Sequence, residues 1–395
     1  MIFQIIDNKK ECIGWFANGQ LMQGSLPKNM TATWDWSPRL GDERVNIAKI
    51  YAQGKELSSV CPEHLSTRWA VHENKIKSHI KSFVSAKVNM GDICFYDLVP
   101  PQHIKHYYQT VNEITEWVIE NIDRPQNYSF LHELMVTCRE IAEQEVKINW
   151  PLLKKFAKKD QKAMYLAKAC WDRKNVVNYN VFGTVTGRLG LLEGSFPILN
   201  LKKEIRSCVL PQNDLFVELD FNGAELRTLL HLSGHPQPQE DIHDWNQRNL
   251  FSGDITRDDA KTAIFAWLYN PTSKKIRSDY YDKTRVLDKY YSDGVVTTPF
   301  RRTMASDDFH ALNYLIQSTS SDNFLTNANK IHRYLRGMRS NVAFMVHDSL
   351  VIDLHGSEKH ELSNIIRLFQ DTKLGHFKTN VKVGKNLGEM ESVQW

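Results

Sequence analysis

The chain has 395 residues, of which 42% are hydrophobic and 24% charged, a balance typical of an ordinary globular protein. No apolar run reaches the roughly 18 residues of a membrane span, and the first residues lack the basic segment of a secretory signal. The 6 cysteines include no CxxC pair, which argues against a zinc knuckle and for free thiols in a reducing compartment. The net charge of +4 is only a weak bias toward anionic partners. We therefore expect a cytoplasmic protein without a membrane partner.

The first part of the chain is predicted to form short strands and turns up to about residue 100. Asn18-Gly19 is a candidate hairpin turn, and Val99–Pro101 marks a domain boundary. From His103 to about Lys174 the apolar spacing becomes helical. The segment Leu152–Lys174 carries lysines or arginines at eight positions. As one helix it would present a basic face to phosphates, or only a solvated amphipathic face.

Two apolar strands each deliver an aspartate to one end. Leu215–Phe221 contains Asp220 and precedes a predicted helix over Ala224–Leu232, and a predicted hairpin over Asn341–Leu354 has Asp348 in its turn. A carboxylate at the end of an apolar strand is partly desolvated, so a nearby cation stabilises it. Taken alone, such an aspartate is more often a turn cap. Two of them could hold a pair of Mg²⁺ ions about 3.5–4 Å apart, the arrangement that activates a hydroxyl and stabilises a leaving pyrophosphate.

Between the two strands lies a helix with cations and aromatic rings on one face. Arg257, Lys261, Phe265 and Tyr269 recur every four positions, so they share one side of a helix. Thr256 to Asp259 resembles a capping box, and Asn270-Pro271 ends the helix. Two cations suit triphosphate oxygens and an aromatic ring suits a sugar or base. An amphipathic helix with two surface cations would explain the same spacing.

The segments described above resemble the motifs of family A DNA polymerases, the group of bacterial DNA polymerase I and many phage replicases. They occur in the same order along the chain as the family's motifs. Thr186–Leu189 resembles the primer-strand contact motif. Asp220–Arg227 resembles the family's Asp-Tyr-Ser-Gln-Ile-Glu-Leu-Arg, and Arg257–Tyr269 resembles its fingers helix. The last palm motifs are matched by Asn313, Gln317 and Asp322 and by His347-Asp348.

The resemblance implies an α+β, right-hand polymerase with a palm sheet, helical fingers, a helical thumb and a small N-terminal α/β domain. The implied ranges are 1–100 for a reduced, non-catalytic domain, 101–171 for the thumb, 172–240 and 299–395 for the palm, and 241–298 for the fingers. The implied reaction adds deoxynucleotides to a primer 3′ end, releasing pyrophosphate. Its cofactor would be two Mg²⁺ ions, which Mn²⁺ can replace. Its partners would be primer-template DNA and deoxynucleoside triphosphates, with any replisome protein unidentified, in the cytoplasm of a bacterium or phage-infected host.

The resemblance also implies a role for each matching residue. Asp220 and Asp348 would be catalytic metal ligands, with the carbonyl of Phe221 as a third ligand, and Lys261 would be catalytic as well. Nucleotide contacts would come from Glu225 as the sugar gate and from His243, Arg257, Lys261, Phe265 and Tyr269. DNA contacts would come from Arg188, Asn313, Gln317 and His347.

The chain departs from the family pattern at several positions. Phe221 replaces a tyrosine, so we expect no hydroxyl to hold Glu225, and Ser349 replaces the glutamate beside the second aspartate. Ala266 and Asn270 replace glycines, and the stretch 269–300 is short, which predicts trimmed fingers. Residues 1–100 lack the Asp-x-Glu of a proofreading exonuclease on their first strand, so no proofreading is expected.

Two other functions fit part of the pattern. A single-subunit RNA polymerase shares the palm chemistry, and His-Asp-Ser occurs in that group. A non-enzymatic nucleic-acid-binding protein could retain a decayed palm. Glu225 and Thr186–Leu189 favour DNA synthesis, and the retention of both aspartates and Lys261 argues against decay.

Overall fold

The computed structural model describes residues 4–7, 12–17, 20–23, 47–87, 100–171, 174–251, 255–270, 273, 276 and 278–394. The chain forms two compact units, Met1–Val136 and Thr137–Trp395. Among the described residues, no helix has the length and apolar character needed to cross a membrane.

The first unit combines a small antiparallel sheet with helices. Its elements are β1 (Gln4–Asp7), β2 (Cys12–Ala17), β3 (Gln20–Gln23), α1 (Ile47–Tyr51), α2 (Leu57–Val60), α3 (Glu63–Ser85) and α4 (Pro101–Asn121), and α5 (Tyr128–Glu143) begins in it. Ala17 pairs with Gln20, which confirms the predicted hairpin between β2 and β3. Its turn residues, 18 and 19, lie outside the described residues. Val99, in the predicted domain boundary, and Pro271, at the predicted end of a helix, also lie outside them.

The prediction of strands and turns throughout 1–100 is wrong, because α3 alone runs for 23 residues. Its buried residues Leu65, Trp69 and Ile76 recur at helical spacing, and Leu65 and Trp69 join Val111 and Ile114 of α4 in one apolar cluster. This cluster places α4 in the first unit. The range 101–171, predicted as the thumb, is therefore divided between the two units.

The second unit holds most of the helices and a five-stranded sheet. Its helices are α6 (Trp150–Ala157), α7 (Gln161–Cys170), α8 (Lys203–Arg206), α9 (Ala224–Leu232), α10 (Ile242–Leu250), α11 (Arg257–Leu268), α12 (Lys283–Tyr290), α13 (Ala311–Leu335) and α14 (Leu362–Gln370). The basic stretch that is predicted as one helix forms two helices, α6 and α7. The chain breaks at Asp160, whose side chain accepts a hydrogen bond from Ala163 N and caps α7.

The main sheet has the strands β8 (Leu215–Phe221), β12 (Asn341–Val346), β13 (Ser349–Leu354), β16 (Thr379–Gly384) and β17 (Glu391–Val393). It is antiparallel, with strand order β12-β13-β8-β16-β17. The remaining strands form short ribbons: β4 (Lys147–Ile148) with β7 (Val209–Leu210), β5 (Tyr179–Asn180) with β6 (Gly190–Leu191), β9 (Tyr291–Ser292) with β10 (Val295–Thr297) and β11 (Thr303–Ala305), and β14 (Asp371–Thr372) with β15 (Gly375–His376). The predicted strand over Leu215–Phe221, the helix over Ala224–Leu232 and the hairpin over Asn341–Leu354 are confirmed.

Alternation along β8 sends successive side chains to opposite faces of the sheet. Val217, Leu219 and Phe221 are buried, and the Phe221 ring stacks on Phe369 of α14 with 4.2 Å between centroids. The alternate residues, Glu218 and Asp220, are only partly buried and face the other way. The pleat of one central strand thus anchors the sheet on its helices and presents two carboxylates on the opposite face.

Candidate active site

Asp220 and Asp348 line one cleft at the end of the main sheet. Asp220 pairs across the ladder with Ser349, the first residue of β13, and Asp348 lies in the turn directly before it. The turn requires a left-handed backbone at His347, whose φ is 56°. The cleft has a volume of about 220 Å³ and is lined by Arg206, Glu218, Asp220, Val346, His347, Asp348, Ser349, Val351 and Leu387. The structure therefore brings together the two aspartates that the sequence predicts as partners.

Like charges and burial make Asp220 a group that a cation would stabilise. Burial raises the pKa of its carboxyl group, and the nearby carboxylates of Glu218 and Asp348 raise it further, against hydrogen bonds from Ser349 and Asn380. Among the described residues, no group of three or more His, Cys, Asp or Glu side chains is arranged to hold a metal ion. The carboxylate oxygens of Asp220 and Asp348 and the carbonyl of Phe221 are nevertheless hard donors of the kind that Mg²⁺ accepts together with waters and phosphates. The donor set therefore fits Mg²⁺.

Glu225 is held from two directions at the start of α9. Arg188 Nη2 lies 2.6 Å from its Oε1, and the hydroxyl of Tyr269 donates to its Oε2. The expectation that no hydroxyl holds Glu225 is wrong, because Tyr269 supplies one from the end of α11. Arg188, predicted to contact DNA, pairs with Glu225 in this structure. Burial raises the pKa of the Tyr269 hydroxyl, and the bond to Glu225 and the charge of Asp348 raise it further.

The face of α11 has the predicted composition. Thr256 caps the helix by accepting from Asp259 N at 3.2 Å, as the capping pattern predicts. The Phe265 and Tyr269 rings stack with centroids 6.1 Å apart, and Lys261 is exposed. Lys261 has no carboxylate within ion-pair distance among the described residues. Its charge is therefore open to an anion.

Arg257 forms ion pairs with carboxylates that the sequence analysis does not predict. Its Nη2 lies 2.8 Å from Asp241 Oδ2 and its Nε lies 3.0 Å from Asp244 Oδ1. Asp241 also caps α10 and accepts from Asn222 Nδ2 at 2.7 Å, which links α11 to the turn after β8. An aspartate directly before Ile242 and His243 is an N-cap signal that could have revealed it.

His243 is buried beside this network. Its ring centroid lies 6.0 Å from that of Phe265, and its Nδ1 has no hydrogen-bond partner among the described residues. Burial lowers the pKa of His243, and Lys261 and Arg257 lower it further. A buried ring nitrogen beside Phe265 without a hydrogen-bond partner in the described part of the chain could be satisfied by a polar ligand.

The polar residues of α13 fall into two groups. Asn313 and Gln317 are half-buried at the start of the helix, and Asn313 Oδ1 has no hydrogen-bond partner among the described residues. Asp322 is fully buried and binds Arg302 through two contacts of 3.0 and 2.7 Å. The Arg302 guanidinium packs so tightly on Gly187 that a Cβ there would lie 2.5 Å from it. Asp322 thus fixes Arg302 under the Thr186–Leu189 motif.

Two relatives of known identity match this chain at the level of sequence. DNA polymerase I of Chloroflexus aurantiacus is 26% identical over 275 residues, covering 54% of this chain and 29% of that protein. DNA polymerase I of Borreliella burgdorferi is 21% identical over 265 residues, covering 52% of this chain and 29% of that protein. The chain is similar in sequence to part of DNA polymerase I. It matches no family model, and it spans about 29% of the length of these two relatives.

A solved structure shows the fold. The POL domain of Pol1 from M. smegmatis, in complex with a DNA primer-template and dNTP, superposes with a TM-score of 0.59 and 15% identity, covering 73% of this chain and 76% of that one. The predicted α+β polymerase architecture is confirmed by this likeness to a DNA polymerase I domain.

Proposed function

We propose that the chain is a template-directed DNA polymerase that adds deoxynucleotides to a primer 3′ end and releases pyrophosphate. One observation carries the proposal. Tyr269, at the end of the basic-aromatic helix α11, donates a hydrogen bond to Glu225, at the start of the helix that follows Asp220. The basic-aromatic helix is therefore joined to the segment that carries Asp220, which lies in one cleft with Asp348, and nucleotidyl transfer requires both parts.

In the proposed mechanism Asp220, Asp348 and the Phe221 carbonyl would hold two Mg²⁺ ions, or Mn²⁺ in their place. Bound there, the ions would supply activation of the primer hydroxyl and charge neutralisation of the leaving pyrophosphate. The chain's part is to hold the two carboxylates close together. The β8–β13 ladder does this because it fixes Asp220 beside the turn that carries Asp348.

The incoming nucleotide would lie along α11. Lys261 offers an open charge to the phosphates, and Arg257 would exchange its contacts with Asp241 and Asp244 for phosphate oxygens. Phe265 and Tyr269 offer a stacked pair of rings to the sugar and base. His243 would meet the β-phosphate. Glu225, held by Arg188 and Tyr269, would occupy the space that a 2′-hydroxyl needs.

The DNA would be contacted by the remaining polar residues of the site. Asn313, Gln317 and His347 would face the primer-template end, and Arg188 would contact it through guanidinium N–H groups other than the Nη2 that holds Glu225. We propose the ranges 172–240 and 299–395 as palm, 241–298 as fingers, 101–171 as thumb and 1–100 as a non-catalytic domain. We further propose that the protein acts in the cytoplasm and does not proofread; Mg²⁺-dependent trimming of a mismatched 3′ end would contradict the last point.

Primer extension with the purified chain tests the function. Asp220→Asn and Asp348→Asn keep the shape of each side chain and remove its charge, so each should abolish nearly all Mg²⁺-dependent extension while DNA binding persists. Asp371→Asn, which changes an exposed aspartate paired with His376, is the matched control and should extend normally. Near-normal turnover of either active-site variant would refute the assignment. Equal use of ribo- and deoxynucleotides by the unmodified chain would favour an RNA polymerase instead.

A further inference from the structure

Glu218 lies on the same face of the sheet as Asp220. The two residues are separated by one position in β8, so their side chains point the same way, and both line the cleft that contains Asp348. Glu218 is paired in register with Val351 on one side and with Lys382 on the other. The cleft therefore receives a third carboxylate, one that the resemblance to family A does not single out.

Ser349 joins the carboxylates of Glu218 and Asp220. Its Oγ lies 3.1 Å from Glu218 Oε1 and 3.1 Å from Asp220 Oδ1. A hydroxyl carries one hydrogen, so it can donate to only one of the two carboxylates at a time. The serine therefore cannot satisfy both carboxylates at once, and a cation close to both would relieve the repulsion between them.

The nearby basic side chains do not replace that cation. Lys382 Nζ lies 3.6 Å from Glu218 Oε1, with 39% of its side chain exposed, so this ion pair is long and screened by water. Arg206 lines the cleft and makes a hydrogen bond to the carbonyl of Leu201. Among the described residues, the cleft has three carboxylates, and these two basic side chains lie beside them. Their positive charge is therefore too small to balance the carboxylates.

We propose that Glu218 is a positioning residue for the divalent cation that the site binds, acting through Ser349 and Asp220 and through its own charge. The inference rests on the proposed polymerase function and deepens it. Ser349 stands where the family pattern has a glutamate after the second aspartate, and Glu218 brings a carboxylate to the same contact from the neighbouring strand. Glu218 thus supplies a carboxylate to the cleft from β8, where the family pattern has one at the position of Ser349 in β13.

Mn²⁺ binding to the full chain without DNA, measured by electron paramagnetic resonance, tests this role apart from catalysis. Glu218→Gln should weaken Mn²⁺ binding on the order of tenfold, the scale of losses seen for residues that support metal ligands. The Mg²⁺ concentration for half-maximal primer extension should rise by a similar factor, while kcat at saturating Mg²⁺ should fall less. A merely structural role for Glu218 would lower stability without this split.

Exchanging the two side chains gives the sharpest comparison. The double variant Glu218→Ser, Ser349→Glu returns a carboxylate to the same contact from the other strand, so it should recover Mn²⁺ affinity close to that of the wild type. If Glu218→Gln does not fold, this variant carries the test, and a folded exchange variant with tenfold weaker binding would overturn the proposal. Lys382→Gln is the control: it removes the opposing cation, so its Mn²⁺ affinity should be unchanged or tighter.

The outcomes separate this inference from the proposed function. Unchanged Mn²⁺ affinity in Glu218→Gln, with weakened affinity in Asp220→Asn, overturns the role of Glu218 and leaves the polymerase assignment standing. Unchanged affinity and activity in both variants overturns both.

Discussion

Glu225 depends on side chains that come from distant parts of the chain. Arg188 precedes it by 37 positions and Tyr269 follows it by 44. Burial and then the bond to Glu225 raise the pKa of the Tyr269 hydroxyl, so the tyrosine remains a donor at neutral pH. A carboxylate fixed by two donors can keep one position and exclude a sugar hydroxyl from it.

Removing one of these donors should loosen sugar selection. Tyr269→Phe keeps the ring but deletes the hydroxyl, so we expect ribonucleotide use to rise relative to deoxynucleotide use, by about tenfold at most. The measurement is the ratio of kcat/KM for the two nucleotides. Tyr334→Phe, which deletes a similar tyrosine–carboxylate bond to Glu361, should leave the ratio unchanged. An unaltered ratio in Tyr269→Phe would show that Arg188 alone positions Glu225.

Lys261 should affect nucleotide use rather than duplex binding. Its side chain is exposed on α11, and its loss should lower kcat/KM by about two orders of magnitude, because phosphate charge in the transition state loses a fixed cation. We expect Lys261→Ala to bind primer-template DNA with nearly unchanged Kd, and Lys359→Ala, at an exposed position, to behave as the wild type in both assays. A parallel fall in DNA affinity would instead assign Lys261 to the DNA backbone.

At the scale of elements, the turn between β8 and α9 depends on Gly223. Its φ is 66°, and a Cβ at this position would lie 2.4 Å from Ile242 Cγ2. Gly223→Ala should therefore lower the melting temperature both through left-handed strain, about 1–2 kcal/mol, and through the clash. Gly234→Ala is the matched control, because its φ is 90° and nothing lies within 4 Å of its Cβ position. Equal losses in the two variants would mean that the contact with Ile242 is unimportant.

The pairing of α5 with α13 should make the stability of the folded protein depend on pH in the acidic range. His332 Nε2 lies 2.6 Å from Glu140 Oε2, and this contact lowers the pKa of Glu140 from 4.5 to about 2. Because the folded pKa is below the unfolded value, the stabilisation is complete above pH 4.5 and is lost as the pH falls toward 2. The melting temperatures of wild type and Glu140→Gln should differ at neutral pH and converge in acid. A difference independent of pH would contradict the pairing.

At the scale of the whole molecule, a basic surface extends over α6 and α7. Lysines 154, 155, 158, 159, 162 and 168 are exposed there, and Lys154 Nζ lies 4.4 Å from the centroid of the Trp171 ring. Asp160 is the single acidic residue between Trp150 and Trp171, and it is paired with Lys202. Such a surface fits contact with a phosphate backbone.

The salt dependence of DNA binding should report this surface. Replacing Lys154, Lys155, Lys158 and Lys162 with glutamine should weaken binding and flatten the slope of log K against log salt, by about 0.9 for each phosphate that the variant no longer neutralises. A variant with Lys359 and Lys385 changed to glutamine removes exposed charge elsewhere and should keep the wild-type slope. An unchanged slope in the fourfold variant would identify the basic face as only a solvated surface.

An element can be predicted from the sequence when the residues that define it are close together in the chain. The start of α11 was predictable because Thr256 and Asp259 form its cap within four residues. The long helix α3 was missed because its buried positions Leu65, Trp69 and Ile76 are widely spaced among polar residues. The break at Asp160 was missed because the lysines on both sides continue one charge pattern, and only the capping hydrogen bond separates α6 from α7.

The sequence by itself determined the strand and helix around Asp220, the hairpin around Asp348 and the cationic face of α11, because each depends on neighbours within a few residues. Only the tertiary structure decided which side chains meet. Ser349 reaches Glu218 across 131 positions of the chain, and Tyr269 reaches Glu225 across 44. Such contacts depend on strand register and on the packing of whole helices. Neither leaves a local pattern in the sequence, since the residues that fix them are spread over the entire second unit.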